Sequence, residues 1–128
     1  MSAVAWLLVC LGAGLGSVAR YVTDQWVQAR WSPVGRRGRF PLGILVINVV
    51  GSFVLGLFTG AAAHGLGPLV LAFFATGVCG GFTTFSTWAY DTIRLTGAGD
   101  RLFATANVGL TVAGGMLAAA TGLGLTLL

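Results

Sequence analysis

The sequence predicts an all-α membrane protein with four transmembrane helices, and three observations lead to this fold class. Of the 128 residues, 56% are hydrophobic and only 8% are charged, which is too little charge for the surface of a soluble domain of this size. Residues 1–19, 40–90 and 102–128 contain no Asp, Glu, Lys or Arg. The long middle run is divided by HGLGP at 64–68, because Gly and Pro interrupt helices and Pro suits the start of the next one.

The apolar runs have the right lengths for membrane spans. A helix rises 1.5 Å per residue, so about 20 residues cross a hydrocarbon core of about 30 Å. We predict spans at about 3–22, 41–63, 69–93 and 102–126 in a single integral membrane domain of residues 1–128. The link at 23–40 is polar and rich in Arg, with two tryptophans, which predicts an interfacial loop that can include a short helix on the headgroups.

Pairs of glycines at small-xxx-small spacing occur in three of the predicted spans. They are Gly12–Gly16, Gly56–Gly60 and Gly77–Gly81. This spacing lets helix backbones approach closely in lipid, so we expect these pairs to lie at helix–helix contacts. Four short spans enclose little volume, and we therefore expect the chain to form an oligomer.

The stretch GGFTTFSTW at 80–88 interrupts the third apolar run with two glycines, four hydroxyl side chains and three aromatic rings. In lipid, a broken helix is tolerated only where it is buried in protein or lines a cavity. We predict that the third helix is broken here, at mid-membrane. On this stretch alone two interpretations stay open: freed carbonyls that hold an ion, or a glycine kink whose hydroxyls bond back to their own helix.

Two amides inside other spans favour the ion site. Asn48 in the second span would cost several kcal/mol if its amide were unpaired in hydrocarbon, on the order of the penalty for a buried amide. Asn107 and Thr111 lie four residues apart in the fourth span, so they share a face. The alternative is that these polar side chains serve only hydrogen bonding between helices.

The charged residues exclude several classes of function. The three carboxylates, Asp24, Asp91 and Asp100, lie near span ends, whereas a proton-coupled transporter needs an ionisable residue deep in the membrane. Neutral donors and positive ring edges suit an anion instead. Nucleic-acid binding is disfavoured because the arginines fringe apolar spans and form no polar domain. No nucleophile–base pair or metal-ligand set is present, so we predict that the protein is not an enzyme.

Three stretches resemble one family. GVCGGFTTFSTWAYD at 77–91, together with GLGSVARY at 14–21 and PLGILVINVVGSF at 41–53, closely resembles the Fluc (CrcB-type) fluoride channels. The resemblance implies a channel subunit in the cell (inner or plasma) membrane that exports cytoplasmic fluoride by passive permeation. It also implies an antiparallel dual-pore dimer with a structural Na⁺, not transported, at the dimer centre.

The same resemblance assigns roles to individual residues. The backbone carbonyls of Gly80 and Thr83 would bind Na⁺, and Arg20 would lie near the aqueous vestibule. The fluoride pore would be lined by Asn48, Phe85, Ser86, Thr87, Trp88, Asn107 and Thr111.

Two departures from the family pattern involve three positions. Trp88 stands where the family has a second pore phenylalanine, and Asn107 with Thr111 stands where the family has a tyrosine and a serine. The indole keeps a polarised ring edge and adds an N–H donor. These departures keep open the alternative of a non-conducting assembly subunit of a heterodimeric fluoride channel, besides that of a small four-helix proton-coupled transporter.

The arginines lie on one side of the predicted spans. Five are in the loops after the first and third spans: Arg30, Arg36, Arg37, Arg39 and Arg101. Two more, Arg20 and Arg94, are at the flanking helix ends, whereas the other side has only His64 and the amino terminus. The positive-inside rule predicts one orientation in the lipid bilayer, with both termini outside. An antiparallel dimer then needs an oppositely inserted, paralogous second subunit, although a homodimer stays open.

Overall fold

The computed structural model describes residues 2–35 and 38–128. Four of its helices are long and apolar enough to cross a membrane, which confirms the predicted all-helical class and number of spans. We number them as spans 1 to 4 in chain order: Ala3–Trp31, Leu42–Ala63, Pro68–Gly97 and Arg101–Leu127. Within the described ranges the only sheet is a hairpin of Val34–Gly35 with Gly38–Arg39. Arg36 and Arg37 lie outside the described residues, so their place in the charge argument rests on sequence alone.

Span 1 continues well past its predicted end near residue 22. The prediction of a loop is wrong for residues 23–31, which are helical. The physical reason is that this extension packs on the start of span 2. Val27 is only 3% exposed, and the amide of Gln28 donates to the carbonyl of Phe40 (3.0 Å) and accepts from the backbone N–H of Gly43 (3.4 Å).

The glycine pairs lie at close helix contacts, as predicted. An added Cβ at Gly16 would meet the carbonyl oxygen of Val78, so span 1 packs backbone to backbone on span 3. Span 2 packs in the same way on span 4, where a Cβ at Gly56 would meet the carbonyl oxygen of Ala119. Spans 1 and 3 and spans 2 and 4 therefore form two tightly packed pairs.

Span 3 is not a uniform helix. It begins as an α-helix at Pro68–Leu71, widens to a π-helix at Ala72–Cys79, and returns to α-helix at Gly80–Phe82. Thr83 (φ −77°, ψ 158°) and Thr84 (φ −150°, ψ 124°) are extended, and the α-helix resumes at Phe85–Gly97. The backbone groups beside these two threonines therefore need partners outside the regular helical ladder.

Candidate functional site

An open cavity of about 810 Å³ lies between spans 2, 3 and 4, centred on the extended residues of span 3. None of the described residues that line it is acidic or basic. Its polar lining consists of one amide and five hydroxyl side chains, those of Asn48, Ser52, Thr76, Thr83, Thr84 and Thr111. The aromatic rings of Phe85 and Trp88 complete one wall. A cavity of this kind offers neutral donors and ring edges and no fixed charge.

Asn48 holds the extended backbone at Thr84. Its Nδ2 donates to the Thr84 carbonyl (3.1 Å), and its Oδ1 accepts from the Thr84 N–H (2.9 Å). In a continuous helix that N–H would bond to the carbonyl of Gly80. Because Asn48 takes it, no donor among the described residues bonds the Gly80 oxygen. Asn48 thus lines the cavity and also frees a carbonyl.

The hydroxyl groups of residues 83–87 form hydrogen bonds with backbone groups at the ends of the two neighbouring helices and with one another. The Thr84 hydroxyl oxygen accepts from the N–H of Thr87 (3.3 Å), its proton is donated to the Thr87 hydroxyl (3.1 Å), and it also bonds the Ser86 hydroxyl (3.3 Å). The Thr83 hydroxyl donates to the carbonyl of Cys79 (2.9 Å). Thr84 is therefore the N-cap of the helix that begins at Phe85, and Ser86 and Thr87 do not belong to the described lining of the cavity.

Two side chains of span 1 reach the same region from the side opposite the cavity. Arg20 Nη1 donates to the carbonyl of Thr83 (3.3 Å), and the Ser17 hydroxyl donates to the carbonyl of Gly81 (3.4 Å). Ser17 was not predicted as a site residue. Its position three residues before Arg20, which places both side chains on one face of the helix, could have indicated it.

The two aromatic rings of the cavity wall are in contact. The centroids of Phe85 and Trp88 are 5.2 Å apart, with the ring planes inclined by 51°. Phe85 is 77% exposed in the single chain, so it contributes little to the packing of its own subunit. Phe82 does not belong to the described lining.

Asn107 lies between spans 3 and 4, away from the cavity. It is fully buried, and its Nδ2 donates to the Thr92 hydroxyl (2.9 Å) and to the Trp88 carbonyl (3.4 Å). In return, Trp88 Nε1 donates to the Asn107 carbonyl (3.2 Å). Trp88 and Asn107, two of the three residues that depart from the family pattern, are therefore hydrogen-bond partners of one another. The third, Thr111, lies one turn further on and belongs to the cavity wall.

Residues 7–123 match the family described as "CrcB-like protein, Camphor Resistance (CrcB)". The "Fluoride-specific ion channel FluC 1" of Streptomyces avermitilis is 48% identical over 103 residues, covering 80% of this chain and 79% of the relative. The protein of the same name from Frankia casuarinae is 43% identical over 113 residues (84% of each chain). "Fluoride-specific ion channel FluC 2" of Cutibacterium acnes is 48% identical over 115 residues, covering 83% and 85%.

Fold and site together define a multi-pass membrane protein whose spans border an uncharged, mainly apolar cavity with amide and hydroxyl groups in its wall. The family match and the relatives narrow this class further. The chain belongs to the CrcB-type, or Fluc, family of fluoride channels. It is accordingly a protein of the cell membrane, and its family is one of ion channels and not of enzymes.

Proposed function

We propose that this chain is a subunit of a fluoride channel that exports cytoplasmic fluoride by passive permeation. The observation that carries the proposal is the cavity beside Thr83 and Thr84, whose described lining offers amide, hydroxyl and ring-edge groups and no charge. A fluoride ion gives up tightly held water on entry, and closely placed neutral donors replace that water without binding the ion too firmly to leave. The permeant ion named in the titles of the relatives supports the same assignment.

The charge distribution argues against proton-coupled transport. Asp91 pairs with Arg94 (3.2 Å), and Asp100 caps span 4 by accepting from the N–H of Phe103 (3.3 Å). Both carboxylates lie near span ends, with no described carboxylate in the cavity lining. Passive permeation needs no group that gains and loses a proton in each cycle.

The residues around Gly80 fit a structural Na⁺ that is bound and not transported. Na⁺ prefers oxygen ligands, and the Gly80 carbonyl lacks its helical donor because Asn48 takes the N–H of Thr84. A Cβ at Gly80 would meet nothing within 4 Å, so the backbone is open to a neighbour. The Thr83 carbonyl already accepts from Arg20, and its second lone pair would serve the ion. Bound Na⁺ would neutralise carbonyl dipoles that converge at the centre of an assembly.

An antiparallel dimer would supply the missing wall of the cavity and the remaining Na⁺ ligands. The exposed Phe85 and the open backbone at Gly80 support a partner at this face. We propose a paralogous second subunit, inserted the opposite way. The one-sided distribution of the arginines along the sequence supports this second subunit.

Fluoride efflux from liposomes tests the function. Purified protein, alone and together with any paralogue encoded beside it, is reconstituted with internal fluoride, and release is followed with a fluoride electrode. We expect release with fluoride and none with chloride. We also expect release, and the dimer in detergent, to require Na⁺ while radioactive Na⁺ stays inside the liposomes. Full release after thorough removal of Na⁺ would exclude the cation site, and no release from either preparation would favour a non-conducting subunit.

A further inference from the structure

Six of the described threonines bond back to their own helix, and Thr111 is not among them. Each donates its hydroxyl proton to the carbonyl four residues earlier, at 2.8–3.2 Å: Thr59, Thr83, Thr92, Thr96, Thr121 and Thr126. Thr111 Oγ1 is buried and has no hydrogen-bond partner in the structure. A buried hydroxyl without a partner is rare and calls for a physical cause.

The cause lies in the carbonyl that Thr111 would use. Four residues earlier is Asn107, and its carbonyl accepts from the indole N–H of Trp88 (3.2 Å). The same oxygen accepts the helical N–H of Thr111, since residues 101–127 form an α-helix. These two donors engage both lone pairs of the carbonyl oxygen. A third donor can share such an oxygen only at long range, as at the Trp88 carbonyl, where the Thr92 hydroxyl bonds at 2.9 Å and Asn107 Nδ2 at 3.4 Å. The Thr111 hydroxyl is therefore left without a strong local acceptor.

We propose that Trp88 is a positioning residue whose indole N–H occupies the Asn107 carbonyl and thereby keeps the Thr111 hydroxyl free to donate to the permeating anion. This inference rests on the proposed fluoride function and deepens it. Thr111 lines the cavity, and turning its hydroxyl about χ1 toward an ion breaks no existing hydrogen bond. The indole N–H itself is turned to span 4 and is not a donor to the ion, contrary to what the sequence suggested.

One competing arrangement uses the same atoms. Asn107 Oδ1, on the same face one turn earlier, is also buried without a partner. Its amide is held in this orientation because Nδ2 donates to the Trp88 carbonyl and the Thr92 hydroxyl. A bond from the Thr111 hydroxyl to Asn107 Oδ1 would satisfy both atoms and give Thr111 a purely structural role.

Fluoride efflux measured in two backgrounds, wild type and Trp88→Phe, distinguishes a Thr111 hydroxyl that donates to the anion from one with a purely structural role. Thr111→Val should slow efflux about tenfold or more in the wild-type chain, as expected for a lost hydrogen bond to a charged group, and Thr111→Ser should restore it. In a Trp88→Phe background the Asn107 carbonyl is free, the hydroxyl bonds back to it, and Thr111→Val should change the rate less than about twofold. Thr121→Val, which removes an exposed back-bonded hydroxyl of the same span, is the control and should leave the rate unchanged.

Equal effects of Thr111→Val in both backgrounds, or unchanged efflux with lowered thermal stability, would overturn the positioning role while leaving the channel function intact. No efflux by the wild type, either alone or together with a paralogous partner, would instead remove the proposed function. A second measurement is independent of flux: the Trp88 indole N–H signal in a ¹⁵N NMR spectrum, assigned by its loss in Trp88→Phe. It should exchange slowly with water and keep its position when fluoride is added, and a fluoride-dependent shift would mean that the indole itself meets the anion.

Discussion

At the scale of single residues, the amide of Asn48 does two things at once. Both of its polar atoms bond the backbone of Thr84, and the same side chain belongs to the cavity wall. The sequence indicated a buried amide that needs partners, and it found them in a backbone that has left the helix. Without Asn48, the N–H and the carbonyl of Thr84 would have no hydrogen-bond partner, and lipid supplies none.

Asn48→Ala should abolish most fluoride efflux and also lower stability. Two backbone groups of Thr84 lose their partners, and each unpaired buried group costs about 1–3 kcal/mol. Thermal unfolding in detergent and efflux from liposomes measure the two effects. Thr59→Ala is a matched control on the same span, because Thr59 is exposed and bonds only its own helix (2.8 Å). If Asn48→Ala behaved like Thr59→Ala in both assays, the clamp on Thr84 would have no role.

Phe85→Ala should separate function from folding. The ring is 77% exposed in the single chain, so its removal should change the stability of the subunit by less than about 1 kcal/mol, as for most surface substitutions. Efflux should fall severely, because the ring edge would no longer face the ion. The measurement is efflux per folded protein, with circular dichroism as the check on folding. Wild-type efflux would remove Phe85 from the pore.

At the scale of elements, neighbouring glycines of span 3 differ in what surrounds them. An added Cβ at Gly81 would meet the carbonyl oxygen of Ala13 in span 1, whereas one at Gly80 would meet nothing within 4 Å. Gly81 thus serves the packing of spans 1 and 3 inside the subunit. Gly80 makes no such contact inside the subunit, which is what the proposed dimer face requires.

Gly81→Ala and Gly80→Val should therefore fail in different ways. Gly81→Ala forces a shift of packed backbone and should destabilise the subunit by about 1–3 kcal/mol, the usual cost of overpacking. Gly80→Val should leave the subunit folded but weaken its dimer and the Na⁺ dependence of that dimer. Size-exclusion chromatography with and without Na⁺, beside thermal unfolding of each variant, distinguishes the two outcomes. A fully dimeric, Na⁺-dependent Gly80→Val protein would show that Gly80 is not at the ion.

Part of this arrangement was predictable from sequence, and part was not. The number of spans and the glycine contacts followed from apolar length and small-residue spacing, which are local properties. The helical extension of span 1 to Trp31 was missed, because polar residues there are stabilised by tertiary contacts such as Gln28 with Phe40 (3.0 Å). The bond between Trp88 and Asn107 joins residues 19 apart in sequence. A sequence pattern does not show that these two residues bond to each other.

At the scale of the whole molecule, four of the five described arginines lie at one end of the helix bundle. Spans 1 and 3 end there and spans 2 and 4 begin there, so four arginines fall at that end: Arg30, Arg39, Arg94 and Arg101. The fifth, Arg20, was predicted at the end of span 1 but lies inside it, because the helix continues to Trp31. The opposite end has the turn with His64 between spans 2 and 3. By the positive-inside rule this separation predicts the orientation of the chain, and with it the kind of partner that the proposed antiparallel dimer would need.

The chain should insert with its arginine-bearing end in the cytoplasm and both termini outside. Arg and Lys bias orientation when they lie within about 15–20 residues of a span end, and Asp opposes that bias only weakly. A reporter active only in the periplasm should therefore work when fused after Leu128, and one active only in the cytoplasm should stay inactive. Replacing the arginines between spans 1 and 2 and those of the second loop with Gln should make the two reporter signals similar. The positions are Arg36, Arg37, Arg39, Arg94 and Arg101. Comparable signals from both reporters in the unmodified chain would mean dual insertion, and a homodimer would then replace the paired subunits.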